Sequence, residues 1–370
     1  MKILTITGTR PELIRLSLII KKLDVLVDHI LVYTNQNYDP NLSTIFFEQL
    51  DIRKPNYYFN FSYKTFGEFF AKSVIEFENI LISEKPDKIL VLGDTNSGLL
   101  SIVAEKYKIP IYHMEAGNRC YDNRLPEETN RKIIDNVSTY NLPYTEDSKQ
   151  ILLNEGFHRN RVLKTGNPIY EVLNHYSEKI TNSDILTRLD LIINPGLDKY
   201  NFRHNIKDYI LVTTHRTENV DNRDTLNGII KSLNYISDKY IVIFSIHPRT
   251  KDKLDKFGIR LNDNIIVSEP MGFFDFVKLE KNAKYIITDS GTVQEEACIF
   301  KIPSLTIRES TERRETIECG SNILCGTEYN NIIESFNTMI KKYNNWTVPD
   351  DYLRDNVSDT VINILLGKNN

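Results

Sequence analysis

The sequence predicts an α/β protein with two doubly wound domains that face a central cleft. Short apolar runs alternate with helix-like stretches along most of the chain, which is typical of parallel sheets covered on both faces. The alternation stops near residue 170 and starts again at residue 209. The chain also has 370 residues, more than a single hydrophobic core usually serves. We therefore expect two Rossmann-like domains with the same architecture.

The first predicted domain, residues 1–170, contains four strand and helix pairs. Each strand is a short apolar run, and each helix starts near a serine or proline that favours a helix N-terminus. The predicted strands are residues 2–7, 30–34, 88–92 and 109–113, with a further strand at 162–165. The predicted helices begin near residues 11, 43, 97 and 126.

The second predicted domain, residues 209–350, repeats this series after a polar segment, residues 171–208, that we interpret as a linker. Its predicted strands are residues 209–214, 240–246, 265–267, 285–288 and 304–307, and its helices lie near residues 226, 274 and 293. In residues 351–370, a final helix is expected to pack back on a neighbour. Ligands of such sheets bind at the carboxyl ends of the strands, so functional residues are expected there.

Composition argues against several classes of function. The net charge is -4, whereas nucleic-acid-binding proteins usually carry a basic excess. No apolar run reaches membrane-spanning length and no signal-peptide pattern precedes the first strand. We therefore expect a cytoplasmic protein without nucleic-acid or membrane partners. The four cysteines form no C-x-x-C pair and are expected to be reduced packing thiols.

Common cofactor and metal motifs are absent from the sequence. It contains neither G-x-G-x-x-G nor G-x-x-x-x-G-K-[ST], which argues against a dinucleotide cofactor and an ATP-binding P-loop. It also lacks D-x-D and H-E-x-x-H. The prediction is therefore a protein with no cofactor and no metal.

The first strand ends at Gly8 and leads into a helix N-terminus that suits an anion. Thr9 and Glu12 have the spacing of a capping box. Arg10 and Arg15 add guanidinium groups near the unpaired amides of the first turn, a combination that suits phosphate. The alternative is a capped surface helix.

Carboxylates and arginines also meet in the segment His113–Arg131. Glu115 follows a strand, and Glu127 opens a helix with Arg131 one turn later on the same face. Asp94 ends the preceding strand, where it could equally cap the next helix. Carboxylates beside fixed cations suit proton transfer on an anionic substrate.

A second phosphate site is predicted where the fourth strand of the second domain leads into a helix. Amides and hydroxyls at Ser290 and Gly291 suit a diphosphate, and Glu296 suits ribose hydroxyls. The alternative is a capped helix that binds no ligand. His215 and His247 end two further strands, where a histidine can act as an acid or donate a hydrogen bond to a phosphate. A histidine satisfied by the backbone is the alternative.

Eight motifs occur in order along the chain, at residues 8–12, 93–95, 115–117, 126–131, 215–219, 247–248, 289–296 and 311–313. In this order they resemble the non-hydrolysing UDP-N-acetylglucosamine 2-epimerase family over nearly the whole chain. The resemblance implies the two-domain arrangement shared with GT-B glycosyltransferases and suggests a homodimer. Further segments, among them Met114–Cys120 and Asn141–Glu146, resemble the branch that acts in UDP-N-acetyl-L-fucosamine synthesis for capsules and O-antigens.

The resemblance implies roles for the predicted site residues. The implied catalytic residues are Asp94, Glu115, Glu127 and His215, supported by Arg131. The implied UDP contacts are uracil against Phe276 and Arg10, diphosphate at Ser290 and Gly291, and ribose on Glu296. We add Arg15, His247 and Arg313 to the substrate-binding and UDP-binding set.

The implied reaction inverts C2 of a UDP-amino sugar without a cofactor. No carbonyl lies next to C2, so elimination of UDP to a 2-acetamidoglycal, followed by re-addition, replaces direct deprotonation. The expected substrate is UDP-2-acetamido-2,6-dideoxy-L-talose and the expected product is UDP-N-acetyl-L-fucosamine. The alternatives are conversion of UDP-N-acetylglucosamine to UDP-N-acetylmannosamine, hydrolytic release of the sugar, a GT-B glycosyltransferase and a non-enzymatic UDP-sugar sensor.

Overall fold

The computed structural model describes residues 1–36, 40–193, 205–342 and 345–368. Contacts divide the chain into two units, Met1–His175 with Asp350–Asn370, and Tyr176–Pro349. Each unit contains a six-stranded sheet whose described strands are all parallel. The predicted α/β class with two doubly wound domains is therefore confirmed.

The first unit is built on a sheet with the spatial order β3-β2-β1-β4-β5-β6. Its strands are β1 (Lys2–Thr7), β2 (Asp28–Tyr33), β3 (Tyr57–Tyr58), β4 (Lys88–Leu92), β5 (Ile111–Met114) and β6 (Tyr140–Leu142). Its helices include α1 (Arg10–Leu26), α2 (Pro40–Gln49), α3 (Phe66–Glu84), α4 (Ser101–Lys106), α5 (Pro126–Val137), α6 (Glu146–Asn154) and α7 (Ile169–His175). The strand order reverses between β1 and β4, and such a switch point is where these sheets bind ligands.

The second unit has the same topology, with the spatial order β12-β11-β10-β7-β8-β9. Its strands are β7 (Tyr209–Thr213), β8 (Ile241–Ser245), β9 (Ile265–Ser268), β10 (Tyr285–Thr288), β11 (Ser304–Thr306) and β12 (Asn322–Leu324). Its helices are α8 (Ser177–Thr181), α9 (Ile185–Arg188), α10 (Thr217–Val220), α11 (Arg223–Ser237), α12 (Pro248–Phe257), α13 (Phe273–Asn282), α14 (Gly291–Phe300), α15 (Arg314–Glu318) and α16 (Tyr329–Lys341). Its switch point lies between β7 and β10.

The last helix, α17 (Val357–Leu366), returns to the first unit and packs against α1. Lys22 of α1 donates a hydrogen bond to the Ser358 hydroxyl over 2.8 Å. Lys88 donates to the carbonyl oxygens of Leu365 and Gly367 over 2.6 and 2.8 Å. These bonds satisfy carbonyl groups at the end of α17 that the helix itself leaves without a partner.

The central strands β1, β4, β5, β7 and β10 are buried on both faces, which explains their continuous apolar sequences. In the second unit, Ile210 and Val212 pack into a cluster on one side of the sheet. Tyr209 and Leu211 pack into a different cluster, because successive side chains of a strand point to opposite faces. No helix in the described ranges is both long and apolar enough to cross a membrane.

Some elements differ from the sequence prediction. The short strands β3, β6 and β12 were not predicted, because two or three residues show no detectable period. The strand predicted at 162–165 was wrong, since Val162 forms only an isolated bridge with Asn141. Segment 171–208 contains the end of α7 and all of α8 and α9, while its residues 194–204 lie outside the described part.

Candidate active site

In the first unit, Glu12 joins the two turns at the switch point. Its Oε2 accepts hydrogen bonds from the amides of Gly8 (2.6 Å) and Thr9 (2.7 Å), completing the predicted capping box. Its Oε1 accepts from the Thr95 hydroxyl over 2.6 Å. Burial raises the pKa of Glu12 to about 7, and the hydrogen bonds oppose this rise only in part. The start of α1 is thus tied to the residue that follows Asp94.

Asp94 forms an ion pair with Arg131 of α5. Its Oδ2 lies 2.8 Å from Nε and 2.6 Å from Nη2 of the guanidinium. The neighbouring Asn130 donates to the Asp94 carbonyl over 2.9 Å. The next helical turn has Ser97, not Asp94, at its N-cap position. The alternative prediction, that Asp94 caps this turn, is therefore wrong. The structure therefore brings together Asp94 and Arg131, both predicted from sequence.

Glu115 lies directly after β5 in a left-handed conformation with φ of 65°. Arg15 of α1 donates to its Oε2, and Asn118 donates to its Oε1 over 3.3 Å. Both members of the ion pair are almost fully buried, with side-chain exposures of 3% for Arg15 and 9% for Glu115. Sequence reasoning assigned Arg15 to phosphate and did not predict this pair.

Glu128 is a fully buried acid that sequence reasoning did not select, whereas the predicted Glu127 is half-buried in the same first turn of α5. Glu128 accepts hydrogen bonds from the amides of Cys120 (3.0 Å) and Tyr121 (3.3 Å) and from Arg131 (3.0 Å). Burial opposes ionisation, but these donors outweigh it and lower the pKa of Glu128. Its position in the first turn, where acids are favoured, was the available signal.

Asp289 organises the switch point of the second unit and was also missed as a site residue. It is fully buried. Its Oδ2 accepts hydrogen bonds from the Thr214 hydroxyl (2.7 Å), the amides of His215 (2.9 Å) and Arg216 (3.0 Å), and the Asn219 side chain (3.0 Å). Burial opposes its ionisation, but His215 and these donors lower the pKa of Asp289.

The two histidines predicted at strand ends meet in the structure. The ring centroids of His215 and His247 are 5.9 Å apart. His215 also places Nδ1 3.3 Å from Asp289 Oδ1. His247 caps α12, and its Nδ1 accepts a hydrogen bond from the amide of Arg249 over 3.2 Å. That contact leaves the proton of a neutral His247 on Nε2.

Ser290 and Gly291 lie at the start of α14, as predicted. The Ser290 amide donates to the Thr288 hydroxyl over 2.9 Å. A Cβ atom on Gly291 would lie 2.9 Å from Glu312 Oε1 and 3.6 Å from the Arg313 guanidinium. The absence of a side chain therefore lets charged groups approach this helix N-terminus closely.

A cluster of charged side chains surrounds this helix start. Arg313 lies 2.5 Å from Glu295, while Arg308 and Arg216 lie 3.0 and 3.8 Å from Glu312. Three guanidinium groups thus lie beside Glu295 and Glu312, and Asp289 directly precedes the helix start. The guanidinium groups and the amides of α14 are donors that suit a diphosphate.

The remaining predicted contacts lie on α13, α14 and α1. Glu296 is buried beside Glu280 of α13, and burial together with the Glu296 charge raises the pKa of Glu280 well above its ordinary value. Phe276 is half-buried and packs against the core of the second unit. The Arg10 guanidinium lies 5.6 Å from the centre of the Phe46 ring. The predicted ribose and uracil contacts of these residues stay predictions.

Comparison with known proteins places this geometry in a family. Residues 21–366 match the family model described as UDP-N-acetylglucosamine 2-epimerase. The chain is 42% identical to a UDP-N-acetylglucosamine 2-epimerase of Methanocaldococcus jannaschii, over 94% of this chain and 95% of that protein. It is 35% identical to a UDP-2,3-diacetamido-2,3-dideoxy-D-glucuronate 2-epimerase of Pseudomonas aeruginosa, over 95% of this chain and 94% of that protein.

Solved structures give the same result. A crystal structure of the M. jannaschii UDP-GlcNAc 2-epimerase in complex with UDP-GlcNAc and UDP superposes with a TM-score of 0.90 at 39% identity, covering 99% of both chains. A Neisseria meningitidis UDP-GlcNAc 2-epimerase bound to UDP-GlcNAc superposes with a TM-score of 0.87 at 29% identity, covering 99% of this chain and all of that one. The chain therefore belongs to the UDP-N-acetylglucosamine 2-epimerase family and is an isomerase, a UDP-sugar 2-epimerase.

Proposed function

We propose that this enzyme inverts C2 of a UDP-2-acetamido sugar by eliminating UDP and adding it back, without releasing the free sugar. The observation that carries the proposal is the pairing of acids with guanidinium groups at neighbouring strand ends, Asp94 with Arg131 and Glu115 with Arg15. Each carboxylate is held in one orientation by its guanidinium partner. A group that takes a proton in the transition state needs such a fixed position within hydrogen-bond reach of that proton.

Elimination fits these residues because the C2 proton is not acidic. As UDP leaves C1, negative charge moves onto the diphosphate, and amides and cations can stabilise it. We assign this task to Ser290 and Gly291 at the start of α14 and to Arg313 beside them. Return of a proton to the opposite face of C2 requires a second acid–base group, which is why several titratable side chains are needed.

The remaining predicted site residues are assigned to proton transfer or to substrate binding. Proton transfer is assigned to Asp94, Glu115, Glu127 and His215, with Arg131 holding Asp94. Substrate and UDP contacts are assigned to Arg10, Arg15, His247, Phe276 and Glu296. The family resemblance further supports a cytoplasmic location and a homodimer. Light scattering of the purified protein would test the homodimer.

For the substrate we favour UDP-2-acetamido-2,6-dideoxy-L-talose, converted to UDP-N-acetyl-L-fucosamine for capsule or O-antigen synthesis. One of the segments that carry this resemblance, Met114–Cys120, contains the proposed catalytic Glu115 and contacts two further charged residues, Glu128 and Arg131. Asn118 donates to Glu115, and the Cys120 amide donates to Glu128, which pairs with Arg131. These contacts support the proposal that side chains of this segment help to select the sugar.

UDP-N-acetylglucosamine is the second candidate substrate. The 42% identity to the M. jannaschii protein of that name favours it. The two substrates differ in hexose configuration and at C6, so turnover of each purified UDP-sugar separates the candidates.

Incubation of the protein with both UDP-sugars in D2O tests reaction and substrate together. We expect deuterium at C2 of substrate and product and no accumulation of free sugar. Epimer that forms without solvent deuterium contradicts elimination, and UDP released in equal amount to a free amino sugar shows a hydrolysing enzyme.

Glu127→Gln tests the catalytic assignment separately. The variant should retain UDP binding and lose turnover, because the amide cannot accept the proton that a carboxylate accepts. Glu178→Gln, at an exposed position on α8, is the matched control. Turnover near the wild-type level would remove Glu127 from the catalytic set.

A further inference from the structure

A buried network lies behind the turns that carry Asp94 and Glu115. His113 Nδ1 lies 2.8 Å from Asp135 Oδ1, and His113 Nε2 lies 2.8 Å from the Gly93 carbonyl oxygen. Asp135 Oδ2 accepts from Arg119 over 2.7 Å, and Arg119 also donates to Glu155 over 2.6 and 2.9 Å. The side chains of His113, Asp135 and Arg119 have no exposed surface.

The partners of His113 determine its protonation state. A carbonyl oxygen only accepts hydrogen bonds, and so does an ionised carboxylate. Burial alone would raise the pKa of Asp135, but His113 and Arg119 outweigh burial and lower it. Independently of His113, Arg119 and the Gly117 amide donate to Asp135 Oδ2 over 2.7 and 3.3 Å, which favours the ionised carboxylate. Both ring nitrogens of His113 then face acceptors, so each must donate a proton. A neutral ring would place a lone pair against an acceptor at 2.8 Å.

The network also contacts two turns that contain left-handed backbone. Gly93 and Gly117 have φ of 75° and 80°, and Glu115 has φ of 65°. His113 holds the Gly93 carbonyl just before Asp94, and Asp135 Oδ2 accepts from the Gly117 amide over 3.3 Å just after Glu115. For a non-glycine residue such as Glu115, this conformation persists where surrounding contacts fix it.

We propose that His113 is a buried imidazolium and, with Asp135, a positioning residue that fixes the turns of Asp94 and Glu115. The ring links the two turns because Nε2 donates to the Gly93 carbonyl oxygen and Nδ1 donates to Asp135, which accepts from the Gly117 amide. The positioning role rests on the proposed epimerase function, whereas the protonation of His113 does not.

Nitrogen-15 NMR of histidine-labelled full-length protein at pH 8 tests the protonation directly. At that pH an ordinary histidine, with a pKa of about 6.5, is neutral. We expect both nitrogens of His113 to carry protons. In Asp135→Asn the amide can donate to Nδ1, so His113 should carry a proton on Nε2 alone. One unprotonated ring nitrogen in the wild type would overturn the proposal.

His113→Asn tests positioning, and His29→Asn is the matched control. His29 is buried in the same sheet and pairs with Asp24, but its other ring nitrogen contacts the Thr5 hydroxyl, which can donate or accept. We expect His113→Asn to lower kcat of the folded enzyme about 100-fold, as a small displacement of catalytic groups does, with UDP affinity unchanged. We also expect faster amide hydrogen exchange at Gly93 and Gly117.

The control should change neither kcat nor exchange at these glycines. Wild-type kcat and exchange in His113→Asn would refute the positioning role. If the wild type epimerises no UDP-sugar, the proposed function fails, while the NMR and exchange measurements still decide the state and the contacts of His113.

Discussion

Asp289→Asn tests the idea that one buried carboxylate holds the second switch point together. In the wild type, Oδ2 accepts four hydrogen bonds from the turn after β7. An amide oxygen can occupy the same place but carries no full charge. Hydrogen bonds to charged groups contribute about 1.5–3 kcal/mol each and neutral ones about 0.5–1.5 kcal/mol. The difference is about 1 kcal/mol for each bond.

Four such differences amount to about 4 kcal/mol, and the lower cost of burying a neutral amide offsets part of the loss. We therefore expect the free energy of unfolding to fall by about 2–4 kcal/mol at pH 7. Urea denaturation followed by circular dichroism measures this change. Asp263→Asn, at an exposed position, is the control and should stay within about 0.5 kcal/mol of the wild type.

The pH dependence gives a second measurement of the same effect. Because the pKa of Asp289 is lowered in the folded state, its contribution is fully present above its ordinary pKa of about 3.9 and is lost as the pH falls through the folded value. The difference between wild type and variant should thus shrink below about pH 4. A loss under about 1 kcal/mol at pH 7, or a difference that grows as the pH falls from about 4 to about 2, would refute the reasoning.

Three further changes test other parts of the fold. Glu12→Gln keeps a capping acceptor but removes a group whose pKa is about 7 when folded and about 4.3 when unfolded. Ionisation of Glu12 opposes folding, because the pKa is higher in the folded state. In urea titrations, the free energy of unfolding of the wild type relative to the variant should therefore fall by on the order of 3 kcal/mol between about pH 4 and about pH 7. A difference that stays constant over this range contradicts the expectation. Gly117→Ala places Cβ 2.3 Å from the Ser148 carbonyl oxygen and should cost more than about 2 kcal/mol and reduce turnover. Gly156→Ala shares the positive φ but meets no atom within 4 Å, so an equal loss there would assign the effect to strain alone. Thr65→Ala removes the N-cap acceptor of α3 and should cost about 1 kcal/mol in thermal unfolding without changing turnover; altered turnover would show that α3 affects the active site.

The positions of several site residues could be predicted because they follow apolar runs. Asp94 and Glu115 follow β4 and β5, and Ser290 follows β10, so a short local pattern placed each at the carboxyl edge of a sheet. Their partners could not be predicted in this way. Arg15 and Glu115 are 100 residues apart in the chain, and Thr214 and Asp289 are 75 apart.

The buried polar residues show the same limit more sharply. Glu128, Asp135 and Asp289 stand in segments where an acid at a helix start or on a solvent face is the ordinary interpretation. Only the folded chain shows that each accepts several hydrogen bonds in a site with almost no contact with water. Local sequence carries no signal for a hydrogen-bond partner that another element supplies.

By itself the sequence determined the α/β class, the repeat of one architecture in two domains and the strand ends at which the motifs lie. These features depend on the spacing of apolar residues along short segments, which is a local property. Tertiary structure alone decided the strand order, the short edge strands, the ion pairs of Asp94 and Glu115 and the acceptors around His113. These depend on which distant groups are buried together, because removal from water makes every donor, acceptor and charge require a partner.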